Sequence, residues 1–166
     1  YEIGVRLVGS EMCIRDRLVE ISKTVGVNVH GAIYEELERM VKTRKLTKED
    51  QKLVSTSQLL RLFNTQEWKS VVFADEIKRE IHFSYISPDK TLINCVIDLL
   101  YRVGTDWYII DYKTDHFVTK TSDEILAHNK LHEAQLTTYK LALEDYGYKV
   151  KGTYIAYVDI GQIVKL

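Results

Sequence analysis

Residues 92–114, LINCVIDLLYRVGTDWYIIDYKT, leave little freedom in how this chain can fold. Two runs rich in Ile, Leu, Val, Tyr and Trp flank a Gly-Thr-Asp segment, the composition of two strands joined by a tight turn. If Val103 to Asp106 form the loop, then Arg102 faces Trp107, Leu100 faces Ile109 and Asp98 faces Asp111. Directly opposed residues have Cβ atoms about 4.5–5.5 Å apart, so the hairpin sets two carboxylates side by side inside apolar strands. Like charges so placed repel, and buried charges need partners, so the expected compensation is a cation. Alternation sends Asp111 and Lys113 to one face and Tyr112 to the other, which brings an ammonium beside the carboxylate pair. A one-residue slip of register would separate the two acids.

Two carboxylates are oxygen donors, and oxygen donors favour a hard divalent cation such as magnesium. An ion of that kind makes its water more acidic and stabilises charge on phosphoryl oxygens, while a neighbouring lysine orients the attacking water. The pattern D…D-x-K therefore points to metal-assisted phosphodiester hydrolysis. The competing reading makes Asp111, Lys113 and Asp115 a solvated strand end.

The rest of the chain supplies an α/β frame around this hairpin. Helical spacing of Val29, Ile33, Leu37, Met40 and Val41 predicts an amphipathic helix from Val27 to about Lys42. A second helix is expected from an N-cap at Thr47 to about Phe63, and a short one over residues 66–72. Residues 76–86 alternate Ile77, Arg79, Ile81, Phe83 and Tyr85 against Lys78, Glu80, His82 and Ser84, a strand pattern closed by the turn SPDK. A long helix follows from Ser122 to Tyr146, capped by Ser122 or Asp123 and stopped by Gly147, before closing strands over 151–160 and 162–166.

Composition limits the functions that fit. With 166 residues the chain is about one domain long, and 23 Lys+Arg against 24 Asp+Glu lack the basic footprint of a free-standing nucleic-acid binder. Nucleic acid, if it is the substrate, must be delivered by something else. No run of about 18 apolar residues is present, so no membrane span is expected. Two cysteines, Cys13 and Cys95, provide neither a disulfide framework nor an iron–sulfur cluster and fit a reducing, cytoplasmic setting. No G-x-x-x-x-G-K-[ST] loop occurs, so ATP hydrolysis is not expected from this chain. RLVGSEMCIRDR, residues 6–17, resembles a translated sequencing adapter. Residues 1–17 are accordingly expected to be a non-native arm, and 18–166 a domain truncated from a larger protein.

With these residues in view, CVIDLLYRV…WYIIDYKTD resembles the PD-(D/E)xK nuclease superfamily, in the form found at the C-terminus of RecB-type and AddA-type helicase–nucleases. The resemblance runs from about Gly26 to Leu166 and implies a restriction-endonuclease-like core, a mixed central sheet with an antiparallel meander flanked by helices. The family's upstream G-T-x-x-H motif is matched by GVNVH, which puts His30 at the position of a metal ligand, with Val27 where threonine is usual. Its Q-x-x-x-Y motif is matched by QLTTY, giving Gln135 and Tyr139 four residues apart on one helical face as DNA-contacting or site-ordering groups. The family's proline is absent, with Ile97 before Asp98.

The resemblance implies a Mg²⁺-dependent exonuclease-type domain in which Asp98, Asp111, His30 and the main-chain carbonyl of Tyr112 hold the ion and Lys113 assists catalysis. Mn²⁺ can substitute for Mg²⁺. It also implies DNA delivered as single strands by helicase domains of the same polypeptide, a second subunit, and a role in double-strand break repair by homologous recombination. The alternatives are a stand-alone exonuclease of the same superfamily and a non-catalytic DNA-binding scaffold.

Other residues have plainer readings. His128 and His132 have the spacing of a zinc pair but no third ligand, so an exposed helix face is expected. Glu76 and Glu80 read as strand-surface charge, and Tyr101, Trp107, Tyr108 and Phe117 as sheet packing rather than base-stacking platforms.

Overall fold

The computed structural model describes residue 19 and residues 29–44, 47–53, 55–113, 117 and 119–166. The expected arm over 1–17, Val27 and Asp115 lie outside them. The chain forms two compact units, Tyr1–Val72 and Phe73–Leu166. Among the described residues no helix is long and apolar enough to cross a membrane.

The first unit is helical, with α1 over Val29–Lys42, α2 over Lys48–Leu53, α3 over Thr56–Phe63 and α4 over Gln66–Val72. Helical spacing buries Ile33, Leu37 and Met40 of α1, Leu59, Leu62 and Phe63 of α3, and Trp68 and Val71 of α4. The Phe63 and Trp68 rings meet at 5.5 Å, and Gln51 Nε2 donates to Glu38 Oε1 at 2.9 Å. The single helix expected from Thr47 to Phe63 is corrected to two, α2 and α3. Ser55 adopts extended backbone as the N-cap of α3, and its hydroxyl bonds that of Ser57. Ser and Thr side chains compete for local hydrogen bonds, so the Ser55–Thr56–Ser57 stretch starts a new helix.

The second unit is a mixed five-stranded sheet in the order β1 (Glu76–Ile86), β2 (Leu92–Val103), β3 (Asp106–Lys113), β4 (Val150–Tyr157), β5 (Gln162–Lys165). The first three strands are an antiparallel meander, β3 pairs β4 in parallel, and β5 turns back along β4. A parallel pair needs a crossover, and the 24-residue helix α5, Ser122–Asp145, supplies it. The β2–β3 turn is two residues, with Gly104 at φ +61° in the first central position, where a II′ turn requires glycine. Asp75 Oδ2 accepts the Gly104 N–H at 2.7 Å and Arg102 donates to the Gly104 carbonyl at 2.6 Å, so the tip is held from both sides.

Helix α5 is capped by Thr121, whose hydroxyl accepts the Glu124 N–H, rather than by Ser122 or Asp123 as the sequence suggested. Glu124 reaches back to the N–H groups of Thr119 and Lys120, a capping-box exchange displaced by one turn residue. The helix stops as expected at Gly147, φ +87°, with Tyr148 N–H on the Leu143 carbonyl and Gly147 N–H on that of Glu144, the two bonds of a Schellman end. Leu136, Tyr139, Ala142 and Leu143 then pack on Ile97, Leu100, Ile109, Ile155 and Tyr157 of the sheet.

Regular alternation breaks at one level of the sheet. Ile81, Phe83 and Tyr85 of β1 join the α5-side core, yet the Lys78 ammonium lies 5.1 Å from the ring of Trp107 and 5.7 Å from that of Tyr148, two residues packed against the same core. Likewise Ile97 and Leu100, an odd number of residues apart on β2, both enter that core. Both strands therefore change phase at the same level, where Glu80 sits at φ +47° opposite Asp98. The strand expected over residues 76–86 is found with those bounds, while its alternation changes phase at Glu80. The charged, kinked stretch Lys78–Arg79–Glu80 also lies on an outer strand, where it discourages pairing with another chain.

Candidate active site

The hairpin register is the one that counting predicts: Arg102 pairs with Trp107 and Leu100 with Ile109. Regular pairing ends at Leu99 and Ile110. Just beyond it the Asp98 carboxylate enters the ladder itself, Oδ2 accepting the Tyr112 N–H at 2.8 Å. That bond orients Asp98 beside Asp111, and the phase change next to Ile97 places both acids on the α5 side.

Asp111 is 3% exposed, and its Oδ2 lies against the Lys113 ammonium. Its compensation is an ion pair: Lys113 Nζ stands 2.7 Å from Oδ2. Burial pushes the Asp111 carboxyl above the ordinary carboxylate range. Lys113 and His132 oppose that rise, and the nearby Asp98 charge adds to it. Lys113 Nζ also donates to Gln135 Oε1 at 3.0 Å, and Gln135 Nε2 donates to the Tyr139 hydroxyl at 2.6 Å. Asp111, Lys113, Gln135 and Tyr139 thus form one connected polar chain from β3 to α5.

The parallel neighbour fixes the strand end. Lys113 pairs with Tyr157 of β4, and its carbonyl accepts the Val158 N–H at 3.3 Å. The Tyr157 hydroxyl donates to buried Asn129 Oδ1 of α5 at 2.8 Å. Phe117 meets the Tyr157 ring edge-on at 4.9 Å and the His128 ring at 4.7 Å. These contacts set the rotation of α5 over the strand ends.

The structure brings together Asp98, Asp111, Lys113, Gln135 and Tyr139. The backbone of His30 lies in α1 of the first unit, and its side chain is outside the described residues. The Tyr112 main chain borders the pair through the N–H held by Asp98. Glu76 is a strand-surface charge, paired with Lys78 and Arg102 at 3.3 Å each, and Glu80 is exposed. Tyr101, Tyr108 and Tyr154 form a ladder of rings across the sheet, with centroids 5.1 and 6.4 Å apart. His128 and His132 are half-buried rather than on an exposed helix face. The sequence reading missed His132 as a neighbour of Asp111; its place three residues before Gln135 was the available signal.

Among the described residues no three His, Cys, Asp or Glu side chains gather at one point. The pair of carboxylates nevertheless fits a hard cation. A buried carboxylate beside a second carboxylate, with the Lys113 ammonium on one oxygen, is an oxygen donor set that suits a divalent ion.

A mixed sheet whose adjoining strands carry Asp98, then Asp111 and Lys113, defines a class of phosphodiester-cleaving domains. The sequence pattern of the PD-(D/E)XK nuclease superfamily matches residues 15–164, and the chain belongs to that superfamily. Its relatives include the ATP-dependent helicase/nuclease A subunit of Oceanobacillus iheyensis, 30% identical over 128 residues covering 68% of this chain and 10% of that protein. The protein of the same name from Syntrophomonas wolfei is 29% identical over 152 residues, 84% of this chain and 12% of the relative. That of Bacillus velezensis is 29% identical over 160 residues, 82% of this chain and 13% of the relative. The chain thus spans 10–13% of the length of these relatives.

Proposed function

We propose that this chain is a Mg²⁺-dependent deoxyribonuclease domain of exonuclease type, with Mn²⁺ able to substitute. The observation that carries the reading is the buried Asp111 carboxylate beside Asp98, with Lys113 Nζ at 2.7 Å. Asp98 and Asp111 would hold the ion, with His30 and the Tyr112 carbonyl as further donors. A divalent ion bound there supplies an acidified water and offsets charge on the phosphoryl oxygens.

The residues of the chain do the remaining work. Lys113, held between Asp111 and Gln135, orients the attacking water and supports negative charge developing on the phosphate. Gln135 and Tyr139 keep the ammonium in place through their mutual bond and border the path of the DNA strand. Two acids and one lysine leave the site short of positive charge for phosphate binding, and the whole chain carries net −1. Single-stranded DNA is therefore gripped and delivered by other domains.

Relatives named as ATP-dependent helicase/nuclease subunits support a helicase context in the same polypeptide. On that reading a second subunit completes the enzyme, which serves double-strand break repair by homologous recombination in the cytoplasm. The direct test mixes the chain with labelled single-stranded DNA and Mg²⁺, alongside Asp111→Ala and Lys113→Ala. Cleavage by wild type and loss in both variants is expected. Equal cleavage by all three excludes the mechanism.

A further inference from the structure

The net charge of −1 conceals a local asymmetry in the helical unit. Residues 42–52, KTRKLTKEDQK, hold five cations against two acids, which is +3 over this run and leaves −4 for the rest of the chain. Lys42, Arg44, Lys48 and Lys52 are all exposed. Arg39, just before them, is held by Glu36, whereas none of these four cations meets a carboxylate among the described residues. Helix stability accounts for only part of the run. Lys42 ends α1, where the helix dipole favours a cation, but Lys48 opens α2, where it does not. Arg44 is the stronger sign. Its backbone is left-handed, φ +58°, as the chain leaves α1, and its N–H meets the Val41 carbonyl at 3.0 Å. Glycine is the residue that such a helix end favours, yet the chain places arginine there. The connection is short and anchored: Arg44 and Lys48 are at most about 14 Å apart along the chain, and Gln51 ties α2 to Glu38 of α1.

Exposed cations without carboxylates, spaced along one short connection, suit a polyanion whose charges repeat along a flexible backbone. Lysine and arginine hold phosphates in this way without reading bases. We propose that the α1–α2 connection, through Lys42, Arg44, Lys48 and Lys52, is a sequence-independent binding site for the phosphate backbone of single-stranded DNA. It uses none of the residues of the Asp98–Asp111 site. The proposal rests on the nuclease reading for the choice of polyanion. Other domains deliver the strand, and these cations give the chain its own hold on it, which the two acids, repelling phosphate, do not provide.

Anisotropy of a labelled oligothymidylate with the 166-residue chain in EDTA reads binding without cleavage. For single strands log K falls with log salt by about 0.7 for each phosphate neutralised, so four cations contribute a slope of about −3. A variant carrying Lys42→Gln, Arg44→Gln, Lys48→Gln and Lys52→Gln should lose that part of the slope and bind at least about tenfold more weakly at low salt. A second variant removes four exposed cations of the other unit, Lys90→Gln, Lys130→Gln, Lys151→Gln and Lys165→Gln, for the same change of net charge. It should stay within about threefold of wild type. Arg44→Gly alone should weaken binding about two- to threefold while its melting temperature holds or rises, a combination that a merely structural arginine would not give. No binding by wild type, an unchanged slope in the first variant, or equal losses in the two fourfold variants overturns the proposal. So does tighter binding to poly-glutamate than to oligothymidylate, which would assign the cations to an acidic protein partner. Failure of the nuclease reading shows separately, as wild type that binds the oligonucleotide through these cations but leaves it intact in Mg²⁺.

Discussion

Asp98 has two separable roles, and two substitutions tell them apart. As a strand element it accepts the Tyr112 N–H at 2.8 Å, in a part-buried position where regular pairing has ended. As half of an acid pair it adds unfavourable charge to Asp111, and on the proposed function it would give a divalent ion one of its donors. Asp98→Asn keeps an acceptor for Tyr112 and removes the charge. Asp98→Ala removes both and strands a backbone N–H, at a cost of about 1–2 kcal/mol. For a chain of this length that is a melting temperature about 2–8 °C lower for alanine than for asparagine. Without metal, asparagine should match or exceed wild type, because repulsion with Asp111 is relieved. Both variants should lose Mn²⁺ affinity by at least about tenfold, since removing even an outer-shell partner costs that much. Thermal melting in EDTA reads the first role and calorimetric titration the second. Equal melting of the two variants would refute the structural half, and wild-type Mn²⁺ affinity in either would refute the other.

Asp111 predicts a pH signature. Burial raises its carboxyl, aided by Asp98 and opposed by Lys113 and His132, so above the ordinary carboxylate pKa of about 4 the native state binds the proton more readily than the unfolded chain. Stability then falls as pH rises towards the raised native value. In EDTA, Asp111→Asn should gain on wild type through that window and level off above it; a difference flat with pH would count against a buried, titrating Asp111. Gln135→Ala removes an acceptor from Lys113, and single-turnover cleavage should drop about tenfold with the fold intact, whereas wild-type rates would show that Lys113 needs no support from α5. Glu80 sits at φ +47°, so Glu80→Gly should be neutral or mildly stabilising while Glu80→Val costs about 1–3 kcal/mol by denaturant melting. Equal stability of those two variants would mean the kink is not strained.

The hairpin was legible because a two-residue turn fixes antiparallel register by counting alone. Arg102–Trp107 and Leu100–Ile109 follow from the position of Gly104, with no tertiary information required. The phase change at Glu80 was not legible, since a left-handed backbone at a non-glycine residue leaves no compositional mark. Arg79, a charge where alternation demanded an apolar group, was its trace. The break between α2 and α3 was written in Ser55–Thr56–Ser57 but outvoted by the apolar spacing on either side. His132 was visible as a residue and invisible as a neighbour. Spacing gives the face of a helix, but the rotation of that face over the sheet depends on the Asn129–Tyr157 bond and the Lys113–Gln135 bond, each linking residues more than twenty apart.

The kink and the acid pair are one feature seen from two sides. On a strictly alternating β2, Ile97 in the α5-side core would send Asp98 to the opposite face, away from Asp111. Shifting the whole strand by one residue would turn Asp98 towards α5 at the expense of Ile97 and Cys95, both buried in that core. The paired phase change in β1 and β2 keeps both: apolar residues up to Ile97 face α5, and from Asp98 onward the opposite parity does. The strain is localised at Glu80, an exposed position on an outer strand, where it disturbs little packing. The Asp98 carboxylate replaces a ladder bond by accepting from Tyr112, so the irregularity leaves no stranded N–H there. What the irregularity brings together is two acids near the end of β3 with Lys113 on Asp111, an arrangement that would suit a divalent cation.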